Sequence, residues 1–237
     1  MHQQKMIRET TTEMTDHGIN TLTISCCGRD WALNRPADLE TLWDSLTDDE
    51  FTEDERLPYW VELWPSSLSL AGWLLKNKDL IQNAACLDLG CGLGFTALVG
   101  SWLNARVVAV DYETKAFPFA RINAQANSVP NPLWVAMDWR HPAVLSGSFD
   151  YIWAGDIMYE RRFVVPVLKF LEHSLKPGGR VWLAEPGRNV YDLFKEELEK
   201  NNWLSECILR DSVAALHEQK AKVSVNLWEL ARKDQKN

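Results

Sequence analysis

The sequence predicts an α/β fold: a mostly parallel seven-strand sheet with helices on both faces and an antiparallel hairpin at its C-terminal end. Three observations carry this. From residue 85 onward, short apolar runs alternate with helix-length amphipathic segments, the pattern of strands buried on both faces and joined by crossover helices. The first of those strands runs directly into a loop with glycine at alternate positions, Cys86-Leu87-Asp88-Leu89-Gly90-Cys91-Gly92-Leu93-Gly94-Phe95. The last two apolar runs have no helix-length segment between them, so an antiparallel hairpin is the simplest joint.

Taken in order, residues 1 to about 20 are polar and threonine-rich and read as loose chain. Thr21 to Asn34 alternates weakly, one or two strands carrying Leu22, Ile24, Trp31 and Leu33. Pro36 is placed to open a helix with Leu39, Leu42, Trp43 and Leu46 on one face. Asp48 to Glu55 holds six acidic residues in eight and reads as a solvated loop. Pro65 starts a second helix, with Leu68, Leu70, Ala71, Trp73, Leu74 and Leu75. Strands are then expected at Ala85–Leu89, Arg106–Val110, Leu133–Ala136, Tyr151–Ala154, Arg180–Glu185, Leu204–Leu209 and Val223–Ala231. Helices are expected at Phe95–Leu103, Glu113–Ala126, Phe163–Leu175 and Val190–Asn202. Residues 1–56 are read as an N-terminal extension and 57–237 as the main domain.

Composition narrows the function. The 237 residues are 46% hydrophobic and 24% charged, values of a globular protein with a sizeable core. The formal net charge of −8 repels phosphate backbones, so a nucleic-acid partner is disfavoured and a basic protein or cationic side chain favoured. Twelve tryptophans are many for this length; most are read as packing, and several stand in loops where a flat ring lines ligand sites. Cys26, Cys27, Cys86, Cys91 and Cys207 are odd in number and show no metal-ligand spacing, which fits free thiols in a reducing cytoplasm. The N-terminus shows no apolar core of a secretory signal, and no run approaches a membrane span. The expectation is a cytoplasmic protein without a metal or a membrane partner. Oligomeric state is not readable.

In open α/β sheets ligands sit at the carboxyl ends of the strands, so the residues following each strand are the candidates. After the first come Asp88, Gly90, Gly92 and Gly94, where the backbone can approach a ligand closely. A dinucleotide site needs a further glycine where Phe95 stands; the loop alone also permits an ordinary tight turn. After the second strand come Asp111 and Tyr112, the acid lying 17 residues beyond Gly94 and suited to accept ribose hydroxyls, with a plain strand-end cap as the alternative. After the third, Asp138-Trp139 offers an acceptor beside an aromatic plane, apt for adenine; a loop Asp with a packed Trp fits equally. Upstream, Trp64 directly precedes the helix-opening Pro65, as a lid or as packing. His141 reads as a solvated loop residue, and His173 and His217 lack partners at metal spacing. Glu185-Pro186-Gly187-Arg188 reads first as a turn, second as lining for the substrate side.

Together these segments resemble the lysine methyltransferase group within the Rossmann-like, seven-strand class I S-adenosylmethionine (AdoMet) enzymes. That group includes the relatives that modify electron-transfer flavoprotein, chaperones and elongation factors. The matching pieces run from Leu57 to about Gly179. They are Leu63-Trp64-Pro65, the loop Leu87 to Gly92, Asp111, Asp138-Trp139, and Asp150 to Tyr159, with Lys176-Pro177-Gly178-Gly179 as the turn before the fifth strand. Asp156 and Tyr159 match the group's Asp-x-x-Tyr motif, its most specific element. The resemblance implies AdoMet as cofactor, S-adenosylhomocysteine as product, and a protein lysine as acceptor. It implies that Trp64, Gly90, Asp111, Trp139 and Ala154 contact AdoMet and that Asp156 and Tyr159 face the target amine. Nucleic-acid amino-methyltransferases carry two prolines where Ile157-Met158 stand here. The alternatives are a small-molecule N-methyltransferase, a non-catalytic AdoMet-binding module and, more distantly, a nicotinamide oxidoreductase. In-line methyl transfer to a departing sulfonium chiefly demands positioning and exclusion of water, so Asp156 and Tyr159 are expected to position the amine rather than to act as strong bases.

Overall fold

A computed structural model describes residues 6–9, 18–37, 58–214 and 222–233. Seven strands form the main sheet: β4 (Ala85–Leu89), β5 (Arg106–Asp111), β6 (Leu133–Ala136), β7 (Phe149–Gly155), β8 (Leu175–Glu185), β9 (Trp203–Ala214) and β10 (Lys222–Arg232). Their spatial order is β6-β5-β4-β7-β8-β10-β9. The first five strands in chain order run parallel, and β10 pairs antiparallel with both β8 and β9. The chain reverses direction across the sheet between β4 and β7, which is where such folds open a crevice. Helices α1 (Pro65–Lys76), α2 (Lys78–Ile81), α3 (Phe95–Trp102), α4 (Ala116–Ala126), α5 (Val164–Ser174) and α6 (Val190–Lys200) cover the faces.

Side-chain alternation along each strand assigns the two cores. Trp153 and Trp182 point to one face, packed with α1, α3 and the N-terminal sheet. Their neighbours Ile152 and Leu183 point to the other, with Phe170 of α5 and Phe194 of α6. Pro118 and Pro166 stand in the first turns of α4 and α5, where a missing N–H costs nothing. No described helix is long and apolar enough to cross a membrane.

A second, three-stranded antiparallel sheet precedes the main one: β1 (Met6–Glu9), β2 (Ile19–Cys26) and β3 (Arg29–Pro36), in that order. β2 and β3 are joined by Cys27-Gly28, both at positive φ, a two-residue turn that matches strand twist. Two strands therefore occupy the Thr21–Asn34 region. Met6–Glu9, read from sequence as loose, pairs with Leu22–Ser25, because a neighbouring strand supplies hydrogen bonds that its own composition does not announce. Pro36 ends β3 rather than opening a helix. The helix expected to carry Leu39 to Leu46, and the acidic Asp48–Glu55 loop, lie outside the described residues.

The free edge of β3 docks on α4 through two asparagines one turn apart. Asn127 accepts the Ala32 N–H at 2.9 Å and donates to its carbonyl at 2.7 Å. Asn123 accepts the Asn34 N–H at 2.6 Å and donates to its carbonyl at 3.2 Å. A side-chain amide presents the same donor and acceptor as a peptide group. Residues i and i+4 of the helix thus pair with i and i+2 of the strand, standing in for a missing neighbour.

Several boundaries shift from the sequence expectation. β8 begins at Leu175, directly after α5, and takes in the Lys176–Gly179 turn, with a register irregularity against β7 between Phe149 and Tyr151. β9 extends past its apolar run by one residue at its start and five at its end, and β10 by one at each end, because their ladder pairing continues beyond the apolar segment. α4 starts at Ala116, three residues later than expected, after the turn set by Asp111.

Candidate active site

The glycine loop is pinned before it meets any ligand. The Gly90 and Cys91 N–H groups both donate to the Val110 carbonyl, at 2.9 and 3.0 Å. This ties the end of β4 to the end of β5. Gly90 has φ +72°, and a Cβ there would stand 2.7 Å from Ile157 Cγ2, so only glycine lets this turn lie against the segment after β7. Gly94, at φ +88°, caps α3; its missing Cβ makes room for the Trp134 ring. Phe95, where a dinucleotide site wants glycine, is buried edge-on against Trp31 of β3 at 5.7 Å.

Asp111 closes the loop from the other side. Its Oδ2 accepts the Gly92 N–H at 2.7 Å and its Oδ1 accepts the Glu113 N–H at 2.9 Å. Burial raises its carboxyl above the usual range, against the pull of these two donors. A carboxylate offers about four acceptor positions, which the main-chain donors of Gly92, Glu113 and Tyr112 do not exhaust.

One cleft runs along the carboxyl ends of β4, β5 and β7. Trp64, Gly90, Gly92, Asp111, Tyr112, Asp138, Trp139, Asp156 and Tyr159, all singled out from sequence, line it. Asp88, Gly94 and Ala154 do not. Asp88 is buried in β4 and takes the Thr96 hydroxyl at 2.7 Å; alternation along the strand turns it toward α3, and burial lifts its carboxyl to about 7. Ala154 is buried within β7. Asp138 is bound by Arg140, through its N–H at 2.8 Å and its Nε at 2.7 Å. Among the described residues no group of three or more His, Cys, Asp or Glu is placed to hold a metal ion.

The far wall is aromatic. Tyr59 meets Trp64 and Tyr159 edge-on, at 5.8 and 5.3 Å. Tyr159 meets Phe163 at 5.1 Å, and Phe163 meets Trp139 at 5.0 Å. Burial pushes the Tyr159 phenol further above its ordinary value, so it stays protonated. Asp156 sits at φ +57° with its N–H on the Ala184 carbonyl, 2.8 Å. Its carboxylate is gripped by the Arg188 fork, Nε–Oδ1 2.5 Å and Nη2–Oδ2 2.9 Å.

Sequence reasoning underrated Arg188, which it read first as part of a turn; the available signal was a basic residue just past a strand's carboxyl end. It also passed over Glu62, a cleft residue that Arg35 of β3 holds at 2.6 Å.

Residues 86–179 match the family described as methyltransferase domain. It is 29% identical over 137 residues to the electron transfer flavoprotein beta subunit lysine methyltransferase of Xenopus laevis, covering 55% of this chain and 53% of that one. It is 30% identical over 156 residues to the mouse (Mus musculus) protein-lysine methyltransferase METTL21E, covering 58% and 63%. The chain thus spans about half to under two thirds of the length of these curated relatives. The fold is similar to that of magnesium protoporphyrin IX methyltransferase from Synechocystis PCC 6803, solved with bound S-adenosylhomocysteine. The TM-score there is 0.56 at 16% identity, over 71% of this chain and 82% of that one. The matched segment begins in β4 and ends within β8, so it contains the glycine loop, Asp111 and the Asp156–Tyr159 segment.

Proposed function

We propose that this protein transfers a methyl group from AdoMet to a lysine side chain of another protein. The observation that carries the reading is a single cleft in which a glycine loop and a ribose-type carboxylate face an Asp-x-x-Tyr pair. The relatives named as lysine methyltransferases support the acceptor class, and the net charge of −8 suits a cationic target. The odd number of cysteines, five, favours a reducing compartment, the cytoplasm.

The residues fit the cofactor. Gly90 and Gly92 bring bare main chain to the cleft, and the Asp111 carboxylate, which lines it, suits ribose hydroxyls. Met137, Trp139 and Phe163 offer apolar surface for a purine. Trp64, Tyr59 and Tyr159 present aromatic rings, which attract both a sulfonium and an ammonium. When bound, AdoMet supplies an electrophilic methyl on an excellent leaving group.

The chain's own work is positioning. Tyr159 carries a phenol proton at every physiological pH, so its hydroxyl donates or accepts a hydrogen bond but does not serve as a base. Asp156 orients the incoming amine through whatever acceptor positions Arg188 leaves, and the amine's proton leaves to water. The aromatic wall excludes solvent from the reacting pair. Such orientation contributes about 7–11 kcal/mol to a bimolecular reaction.

The test is labelling of cell lysate with tritiated AdoMet and the purified protein. Label in protein bands that maps to lysine supports the reading; label confined to small molecules overturns the acceptor class. Asp156→Ala is expected to lower turnover at least tenfold while AdoMet binding by calorimetry survives, and full activity in that variant would remove its role.

A further inference from the structure

The turn after β8 is built to hold one side chain. Glu185, 1% exposed at the strand's end, accepts the Gly187 N–H at 2.6 Å and the Arg188 N–H at 2.8 Å on Oε2. Its Oε1 accepts Asn226 Nδ2 at 2.9 Å and Trp228 Nε1 at 3.0 Å, both from β10. Four hydrogen bonds to one buried carboxylate fix the backbone from which Arg188 reaches back to Asp156. The Asp156 side chain is 2% exposed and the Arg188 side chain 34%. The guanidinium also lies 6.0 Å from the ring centre of Trp64, itself a cleft residue.

This arrangement decides the charge that a target amine meets. A buried carboxylate without a counterion keeps one proton close, either on itself or on the amine facing it. An amine holding that proton has no lone pair to give. Arginine never releases its own proton, so Arg188 supplies the positive charge that a proton would otherwise supply. Against the paired site an ammonium adds an unbalanced charge, whereas a neutral amine adds none. The other titratable groups facing the pair are Glu185 from β8 and Tyr59 from the turn preceding α1. Neither replaces the guanidinium, because Glu185 is negative and Tyr59 is a phenol.

We propose that Arg188 is a positioning residue for methyl transfer: by gripping both oxygens of Asp156 it makes the cleft select the uncharged, nucleophilic form of the target amine. The inference rests on the lysine methyltransferase reading and deepens it. No bond other than the amine's N–H changes in this step, and its proton departs to solvent before transfer.

The test compares wild type with Arg188→Gln, Arg188→Met and Arg188→Lys. Methyl transfer from tritiated AdoMet to the acceptor protein found by lysate labelling is followed from pH 6 to pH 10. In parallel the Asp156 carboxyl is titrated by NMR in 13C-aspartate-labelled protein, assigned with Asp156→Asn. Loss of the charge in the Gln and Met variants is expected to move the acid limb of kcat upward by about 1–3 pH units. The Asp156 titration should move the same way. The Lys variant is expected to keep the limb near wild type with a lower kcat, since it retains the charge and loses the fork. An unmoved acid limb in the Gln and Met variants, with the acceptor still labelled, overturns the inference and leaves the lysine reading standing. A wild-type protein that labels no acceptor overturns both. Failure of Gln and Met variants to fold while the Lys variant folds shows a purely structural pair and also overturns it.

Discussion

Asp111→Asn is the most direct perturbation of the cofactor side of the cleft. The change keeps size and shape and replaces one oxygen by an NH2. Both oxygens already accept main-chain donors, Gly92 N–H at 2.7 Å and Glu113 N–H at 2.9 Å. The new amide must therefore point a donor at a donor, at a cost of about 1–3 kcal/mol to the closed loop. The acceptor also loses its charge, and a hydrogen bond to a charged group is worth about 1.5–3 kcal/mol. With part of the loop cost relieved by rearrangement, a net loss of about 3 kcal/mol is reasonable, or roughly 100-fold in Kd. Isothermal calorimetry of AdoMet and of S-adenosylhomocysteine against wild type and variant measures this, with thermal unfolding as a control for the fold. A variant that folds and binds both ligands within threefold of wild type would refute the ribose assignment and the arithmetic behind it.

Gly90→Ala places a methyl 2.7 Å from Ile157 Cγ2 at φ +72°. About 1–2 kcal/mol of backbone strain and a displaced neighbour of Asp156 should weaken AdoMet binding in calorimetry; unchanged affinity would show that the loop has more room than its geometry indicates. Asn127→Ala strips partners from the Ala32 N–H and carbonyl, and should cost about 2–4 kcal/mol in urea unfolding. A loss under about 0.5 kcal/mol would mean that the asparagine clamp is incidental. The Asp88 carboxyl, lifted to about 7 by burial, binds its proton more tightly folded than unfolded. Its contribution to stability is complete below about pH 4 and is lost as pH rises through about 7, a swing of about 4 kcal/mol. Asp88→Asn should remove that share, so urea unfolding at pH 5 and pH 8 should show a smaller drop in the variant; equal drops would place the ionised carboxylate in a better-solvated site.

What was legible followed local rules. The strand-loop-helix around Gly90, the acid at the end of β5 and the Asp-x-x-Tyr segment are short-range patterns, and their distance from one another in sequence does not blur them. Three further candidates, Asp88 and Gly94 from the glycine-loop pattern and Ala154 from the family resemblance, do not line the cleft. Strand alternation, a period of two, turns Asp88 to the α3 face of the sheet, onto Thr96, and Ala154 to the core on the opposite face. Gly94 serves the packing of α3 on Trp134. Neither consequence is visible until the register of the sheet is known.

By itself the chain's order of residues determined the strands of the main sheet and which residues follow their carboxyl ends, because backbone periodicity and glycine conformations act within a few residues of one another. Only tertiary structure decided that β3 edges onto α4 through Asn123 and Asn127, that Glu62 is held by Arg35, and that Asp156 meets Arg188. Those pairings join residues between 27 and 95 positions apart. A hydrogen bond or ion pair over such a span depends on where two separately formed elements come to rest, and no local pattern records that.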